Sequence, residues 1–361
     1  MKHLLLFLSI FICGSAVAQS VDRPQQPIPP FNYVEEEITV YNEKDKINLS
    51  GTLTLPKGNG PFACAILITG SGPQNRNEEL MGHQPFAVIA DYLTNNGFAV
   101  LRMDDRGVGK SEGNFQLATS FDFANDILSG FNHISKDARI NASKIGLIGH
   151  SEGGLVSAVV AAREPKIAFV ISLGGVGVSI YEILKQQNID ISLAEGASKE
   201  IAQSNQRNLV YLMDIVIATA DSALCSQKLT VAMDSLYSSQ KPLIPDFDAF
   251  VQGQIAFLNS RWMRAILNYD PALDWKKVKC PVLALNGEKD VQVHAEINLN
   301  AIAAALDSGK NYKYQTTIMS GMNHLFQTCT TCRVSEYGSL TETFSIEALE
   351  EMKVWLNRNV Q

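Results

Sequence analysis

The chain lacks an excess of basic residues and, beyond its first residues, any long apolar run. Its 361 residues include 30 lysines and arginines against 37 aspartates and glutamates, which gives a net charge of −7. Proteins that bind nucleic acid usually carry a basic patch, so this balance argues against nucleic acid as a partner. No apolar stretch after residue 19 is long enough to span a bilayer, so no membrane span is expected.

Cysteine is also scarce, with six in the chain. Cys13 lies in a segment that we expect to be removed, and the odd number left predicts at least one free thiol or an intermolecular bridge. Cys329 and Cys332 form a Cys-x-x-Cys pair, but they do not open a helix after a strand, as a redox pair does. A local disulfide is therefore favoured, with free thiols as the alternative. Further ligands at metal-site spacing are missing, so no metal is expected.

The first residues have the pattern of a secretory signal peptide. A short basic start at Lys2 is followed by an apolar stretch and by small residues that end at Ala18. We expect 1–18 to be a signal peptide that is cleaved after Ala18. A lipid anchor on Cys13 is less well supported, because Ile12 is large where a lipoprotein signal carries a small residue. The mature chain is therefore expected in a periplasm or outside the cell.

Hydrophobic patterning divides the rest of the chain into a core and an insertion. The proline-rich residues 19–33 predict a flexible linker. Strand-like and helix-like runs alternate over 34–175 and again over 276–361, which is typical of an α/β fold with a mostly parallel sheet covered by helices. Between them, 176–275 contains no convincing strand but has helical apolar spacing, most clearly over 198–227. We interpret 176–275 as a helical cap inserted over the active site.

A tight turn around Ser151 is the most specific motif. Apolar residues with β character end at Gly149 and small helix-compatible residues follow Gly153, so the chain has a Gly-x-Ser-x-Gly elbow. The two glycines are needed because the turn leaves no room for a Cβ, and the serine hydroxyl is held above the sheet edge. The amide of Glu152 begins the helix and can meet a developing oxyanion. A glycine-rich turn with a solvent-facing serine is the alternative, and the strand–turn–helix context disfavours it.

A nucleophilic serine needs a base, and the base needs an orienting carboxylate. His324 lies in a glycine-containing loop after the last predicted strand and is the candidate base. Asp290 is the candidate carboxylate, because it lies deeper in the loop after the preceding strand and has a short side chain; Glu288 is the runner-up. His150 neighbours the serine, but the tight turn is expected to point its ring elsewhere.

A second oxyanion donor is expected in the glycine-containing loop after the strand that ends at Thr69. The sequence Gly-Ser-Gly-Pro-Gln follows directly, and its glycines let backbone amides approach a ligand. We nominate the amide of Ser71, with that of Gly72 as a close second. A plain glycine turn is the alternative.

These stretches together resemble the α/β-hydrolase superfamily. The resemblance is to bacterial carboxylesterases with a helical cap, a group often placed beside serine aminopeptidase-like and dienelactone hydrolase-like proteins. It rests on residues 149–153, 70–76 and 102–111 and on the loops of Asp290 and His324. It implies an α/β-hydrolase fold with an eight-stranded, mostly parallel sheet, a Ser–Asp–His triad, an acyl-enzyme intermediate and no cofactor. The chain departs from the pattern at Thr69, where many relatives have histidine.

The sequence thus predicts an exported serine hydrolase whose partner is a small-molecule ester with a small or medium acyl group. An amidase or peptidase with the same triad is one alternative, and a non-catalytic ligand-binding protein of the same fold is another. The oligomeric state is left open. Arg76 is expected either to pair with a local carboxylate or to bind an acidic substrate.

Overall fold

A computed structural model describes residues 22–360, and one eight-stranded sheet organises it. The strands are β1 (Val34–Asn42), β2 (Ile47–Leu55), β3 (Phe62–Ile68), β4 (Ala99–Met103), β5 (Ile140–His150), β6 (Val170–Leu173), β7 (Val282–Gly287) and β8 (Tyr314–Met319). Their order is β1-β2-β4-β3-β5-β6-β7-β8. The β1–β2 and β2–β4 pairs are antiparallel and all other pairs are parallel. The predicted mostly parallel sheet is confirmed; the predicted signal peptide lies outside the described residues.

Helices follow most of the strands and also form a separate group. They are α1 (Pro85–Asn95), α2 (Ser120–Ile134), α3 (Glu152–Arg163), α4 (Ile180–Ala194), α5 (Lys199–Ala218), α6 (Ser222–Tyr237), α7 (Phe247–Leu258), α8 (Arg261–Ile266), α9 (Ala272–Trp275), α10 (Ala295–Ser308) and α11 (Ile346–Asn359). Short 3₁₀ turns occupy Phe115–Leu117, Ser238–Leu243 and Val334–Ser339.

The described chain divides into two compact units, of which Ser179–Asp270 is the smaller. It contains α4 to α8. Each of these helices begins at a serine or aspartate whose side-chain oxygen accepts a hydrogen bond from the amide three residues later, and these capping residues are Ser179, Ser198, Asp221, Asp246 and Ser260. Such caps satisfy amides that have no partner within a helix, so they define where each helix starts.

The larger unit comprises 22–178 and 271–360 and contains the whole sheet. The middle strands are buried on both faces, as in other parallel sheets covered by helices. Gly146 in β5 shows how tightly the helices and loops pack there, because a Cβ at this position would lie 2.3 Å from the Phe169 ring. Phe169 in turn meets Trp355 of α11 edge to face, with ring centroids 6.4 Å apart.

Some predicted boundaries are wrong. The sequence pattern predicts strands over 144–148 and 167–173, but β5 begins at Ile140 and β6 only at Val170. The helical stretch predicted over 198–227 is two helices, because Asp221 caps the start of α6 and ends the run. The sequence of 19–33 predicts a flexible linker; the described part of it has no helix or strand, and its Gln25 side chain bonds backbone atoms of residue 344.

The closing helix α11 packs against the core behind the loop of His324. Its buried face includes Leu349, Met352 and Leu356, and the helical spacing of these apolar residues in the sequence predicts such a face. Phe344 precedes the helix and stacks on Phe326, two residues after His324, with ring centroids 5.4 Å apart. This packing supports the loop that carries the candidate base.

Candidate active site

Ser151 lies on a strained turn between β5 and α3. Its backbone has φ 54° and ψ −118°, a conformation that costs a non-glycine residue free energy and often marks functional sites. A Cβ on Gly149 would come 2.0 Å from a backbone oxygen of Gly153, and a Cβ on Gly153 would come 2.1 Å from that of Ile68. Both glycines of the elbow are therefore required by backbone contact. The Ser151 amide donates to Leu173 of β6 over 2.9 Å, which ties the turn to the sheet edge.

Asp290 and His324 form a buried carboxylate–imidazole pair. The Asp290 Oδ2 atom lies 2.7 Å from His324 Nδ1. Asp290 Oδ1 accepts the amides of Gln292 and Val293, each over 2.8 Å, so both carboxylate oxygens are held in place. Because a carboxylate accepts hydrogen bonds, the proton of a neutral His324 lies on Nδ1, and Nε2 is left as the basic nitrogen.

Glu288, the runner-up for the acid, is placed elsewhere. Its side chain is exposed, and Oε2 accepts hydrogen bonds from Ser320 Oγ at 3.0 Å and from the Gly321 amide at 2.9 Å. The structure therefore brings Asp290, and not Glu288, to the candidate base.

The carboxylate–imidazole pair lies at the sheet edge that carries the elbow. Gly174 directly follows Leu173, whose carbonyl accepts the Ser151 amide. A Cβ on Gly174, which has φ +56°, would lie only 3.2 Å from His324 Nδ1. Within residues 22–360 the Ser151 hydroxyl has no hydrogen-bond partner. Of the two hydrogen bonds in a Ser–His–Asp triad, the one between Asp290 and His324 is formed and the one between Ser151 and His324 is not. Catalytic hydrogen bonds of this kind often tighten only when substrate binds.

The glycine-containing loop runs against the elbow. A Cβ on Gly70 would lie 3.2 Å from the Ser151 Cβ. The Gly70 amide is already used, because it donates to Glu78 Oε1 over 2.6 Å. The amides of Ser71 and Gly72 have no hydrogen-bond partner in the described part of the chain. Ser71 therefore carries the first amide of this loop that could receive an oxyanion.

The start of this loop is anchored through Thr69, the position at which the chain departs from many relatives. Thr69 Oγ1 donates to Asp105 Oδ1 over 2.8 Å, and the Gln74 amide donates to Asp105 Oδ2 over 3.0 Å. Burial raises the pKa of Asp105 well above its ordinary range, although these hydrogen bonds act in the opposite direction. Asp105 therefore joins both ends of the loop.

Glu152, whose amide is the other predicted oxyanion donor, is the first residue of α3. Amides at this position point out of the helix along its dipole, toward the space that an anion can occupy. The Glu152 side chain makes a separate contact: its buried carboxylate accepts a hydrogen bond from Ser120 Oγ over 2.5 Å.

The sequence missed two residues that touch the site. The prediction that the His150 ring points elsewhere is wrong, because its centroid lies 4.8 Å from that of His324. His150 Nδ1 lies 2.9 Å from Glu78 Oε1, and Nε2 lies 3.0 Å from the His324 backbone oxygen. Burial acts to lower the pKa of His150, but the Glu78 carboxylate, the His324 carbonyl and Asp290 together hold that pKa above its ordinary value. Glu78 lies in an irregular polar loop, where no periodicity could have marked it.

Arg76 pairs with local carboxylates, one of the two roles that the sequence left open. It makes a two-pronged contact with Asp104, with Nε 3.0 Å from Oδ1 and Nη2 2.8 Å from Oδ2. Its Nη1 atom lies 2.6 Å from Glu37 Oε1. A planar guanidinium bound in this way is held firmly.

The structure contains the predicted local disulfide, Cys329–Cys332, in the loop after His324. Within residues 22–360 the free cysteines are Cys64, Cys225 and Cys280. In the same residues, no three His, Cys, Asp or Glu side chains come together in a way that could hold a metal ion. No helix in this part of the chain is both long and apolar enough to cross a membrane.

Comparison with known proteins bears on the fold of the chain. Residues 83–204 match the model of a family described as serine aminopeptidase, S33. The solved esterase Pf2001 of Pyrococcus furiosus has a TM-score of 0.55 at 14% identity and covers 91% of this chain and 92% of its own. The α/β hydrolase GrgF of Penicillium gives 0.53 at 15% identity, over 92% and 99% of the two chains. The chain has the α/β-hydrolase fold.

The fold that the resemblance to α/β hydrolases implies is thus confirmed. Over 298 residues this chain is 24% identical to the esterase EstD of Thermotoga maritima, a match that covers 82% of this chain. The match spans only 61% of the length of EstD. Ser151 lies inside the segment matched by the family model, whereas Asp290 and His324 lie beyond it.

Proposed function

We propose that the chain is a serine hydrolase that cleaves carboxylic esters of small or medium acyl groups. Ser151 attacks the carbonyl carbon, and His324 Nε2 takes the hydroxyl proton and returns it to the leaving alcohol. Asp290 holds His324 in the required tautomer and stabilises the imidazolium that forms. The observation that carries the proposal is the 2.7 Å contact between Asp290 and His324 at the sheet edge that bears the strained Ser151 turn.

The negative charge that develops on the carbonyl oxygen needs donors that are already in place. We assign this role to the amides of Ser71 and Glu152, which come from opposite sides of the elbow. Backbone donors fixed before the reaction stabilise the tetrahedral intermediate without reorganisation. Collapse of the intermediate releases the alcohol, and water then cleaves the acyl–Ser151 ester by the same route.

Ester cleavage is favoured by the names of similar proteins. EstD and Pf2001 are both called esterases. Because their identity to this chain is low, these names are supporting evidence. The basis of the proposal is the Asp290–His324 geometry.

The first test is labelling with a fluorophosphonate, which reacts only with an activated serine. Mass spectrometry should find the label on Ser151, and the same sample should hydrolyse p-nitrophenyl acetate and butyrate. Ser151→Ala should lose both, whereas Ser143→Ala, which changes an exposed serine of β5, should keep both. Full turnover by Ser151→Ala would overturn the assignment, and a folded protein that neither labels nor turns over would favour the ligand-binding alternative.

A second candidate is amide or peptide hydrolysis by the same residues. The match of residues 83–204 to the serine aminopeptidase family favours it. Amides differ in needing protonation of a much poorer leaving group. Comparing kcat/KM for an ester and for the anilide of the same acyl group separates the candidates, because an esterase strongly prefers the ester.

We also propose that the protein is exported. The pattern of residues 1–18 supports this, and so does the Cys329–Cys332 disulfide, since such bonds persist in oxidising compartments. Mass spectrometry of the protein from its native cell should find Gln19 at the N-terminus. An uncleaved chain in the cytoplasm would contradict the proposal.

A further inference from the structure

A second carboxylate–histidine pair lies directly beside the candidate triad. It consists of Glu78, from the irregular loop after β3, and His150, the last residue of β5. Both side chains are almost fully buried, with 5% and 8% of their surfaces exposed. The triad chemistry uses neither of them, although burying a charged group is costly unless it is paired.

The hydrogen-bond partners determine how many protons the pair holds. His150 Nε2 faces the backbone carbonyl of His324, and a carbonyl oxygen can only accept, so Nε2 carries a hydrogen. His150 Nδ1 faces Glu78 Oε1, which also accepts the Gly70 amide. An ionised Glu78 accepts from Nδ1 as well as from the Gly70 amide, which places a hydrogen on Nδ1 too. An imidazolium at His150 satisfies all of these contacts, in agreement with its raised pKa.

The charges around His150 agree with this protonation. Glu78 and Asp290 both favour the charged ring, and the carbonyl of His324 accepts from it. Asp105 is close enough to Glu78 for the two carboxyl groups to interact electrostatically. His83 provides the contrast, because it is buried without such a carboxylate and its pKa is lowered to about 4, mainly by burial.

The pair connects three segments that are distant in sequence. The Gly70 amide binds Glu78, Glu78 binds His150, and His150 binds the backbone of His324, 174 residues further along the chain. Glu78 is itself held in a left-handed conformation with φ +50°. Such strain persists only where the surroundings impose it, and it concentrates at functional sites.

We propose that Glu78 and His150 are positioning residues for the hydrolysis proposed above. Through this charged pair, the oxyanion loop at Gly70 and the base loop at His324 are held at a constant separation on either side of Ser151. The inference rests on the proposed function. It extends that function to residues that contact none of the reacting atoms.

The kinetic test replaces Glu78 by glutamine, which keeps the shape of the side chain and removes its charge. Displacement of catalytic groups by about 1 Å costs about a hundredfold in rate. Glu78→Gln should therefore lower kcat for p-nitrophenyl butyrate by about 10- to 100-fold, with KM within about twofold. Glu79→Gln, which changes the exposed neighbouring carboxylate, is the matched control and should retain full kcat.

A spectroscopic test does not depend on any variant's activity. In protein containing histidine labelled with ¹³C at Cε1, the resonance that His150→Gln removes should titrate with a midpoint above about 6.5, the value for a free histidine. Glu78→Gln should bring that midpoint below the value measured in the unmodified protein. A midpoint at or below that of free histidine in unmodified protein would overturn the proposal.

Parallel measurement of Ser151→Ala separates the two hypotheses. If Ser151→Ala is inactive and folded Glu78→Gln keeps full kcat, the positioning role is wrong and the proposed function stands. If Ser151→Ala keeps full turnover, the proposed function itself is wrong. The double variant Glu78→Gln/His150→Gln should lose no more than the worse single variant, since both changes break one connection; additive losses would contradict a shared role.

Discussion

Asp290 decides which nitrogen of His324 can act as a base. Its Oδ1 is held by two backbone amides, which leaves Oδ2 aimed at His324 Nδ1. Glu288, two residues earlier in the same loop, bonds instead to residues 320 and 321. The two carboxylates therefore provide a variant and its control within one loop.

Replacing Asp290 by asparagine should lower kcat by about 10⁴-fold, because an amide nitrogen facing Nδ1 favours the wrong tautomer of His324. Glu288→Gln should leave kcat within about twofold, since exposed side chains away from the reacting atoms contribute little. Steady-state hydrolysis of p-nitrophenyl acetate measures both. Equal losses in the two variants would contradict the role given to Asp290.

At this scale the sequence predicted residue types better than contacts. Chain order and loop position pointed to Asp290 and His324, and the structure places them 2.7 Å apart. The same reasoning could not find Glu78, since its contact with His150 joins residues 72 positions apart through an irregular loop. Periodicity describes regular elements, whereas this contact depends on the path of a loop.

Among the elements, β5 packs closely against its neighbours. The strand leads to the elbow, and its Gly146 lies against the Phe169 ring so closely that a methyl group would overlap it. In α7, by contrast, a Cβ on Gly253 would have no heavy atom within 4 Å. The two glycines therefore differ in the room that a methyl group would have.

Gly146→Ala should lower the free energy of unfolding by about 1–3 kcal/mol, because Phe169 must move to admit the methyl group. Gly253→Ala should raise it by about 0.5–1 kcal/mol, because alanine loses less backbone entropy in a helix. Urea unfolding followed by circular dichroism measures both. A Gly146→Ala protein as stable as the parent would show that the sheet has more room than these distances allow.

Element prediction succeeded where the hydrophobic period was long and uninterrupted. The sequence pattern predicts a helix from Pro85 to Asn95, and α1 has the same bounds. The apolar pattern predicts too short a β5, beginning at residue 144, because residues 141–143 are polar or small and partly exposed. Those residues are strand only because residue 140 pairs with Phe62 of β3, which is a tertiary effect.

Across the whole molecule, His83 links segments that are far apart in sequence. Its ring nitrogens lie 3.0 Å from Thr343 Oγ1 and from the Tyr337 carbonyl oxygen. Burial lowers the pKa of His83 to about 4. The His83 ring therefore binds a proton much more weakly in the folded protein than in the unfolded chain, where the pKa of histidine is about 6.5.

Stability should consequently fall as the pH drops from about 6.5 toward 4, because the unfolded chain binds a proton that the native His83 excludes. The pKa difference corresponds to at most about 3 kcal/mol. Urea midpoints measured across this range should decline less steeply in His83→Gln than in the parent. His133→Gln, which changes an exposed histidine, should show the same decline of the urea midpoint with pH as the parent. If His83→Gln also declines as steeply as the parent, His83 is not the cause.

The contacts of Gln25 have a consequence for biosynthesis. Its side-chain amide donates to the Phe344 carbonyl and accepts from the Thr343 amide, partners 319 and 318 positions away. A ribosome releases Gln25 long before it makes either partner, so this connection closes only when nearly all of the chain has emerged. The nascent chain therefore spends most of its synthesis without this contact between its two ends.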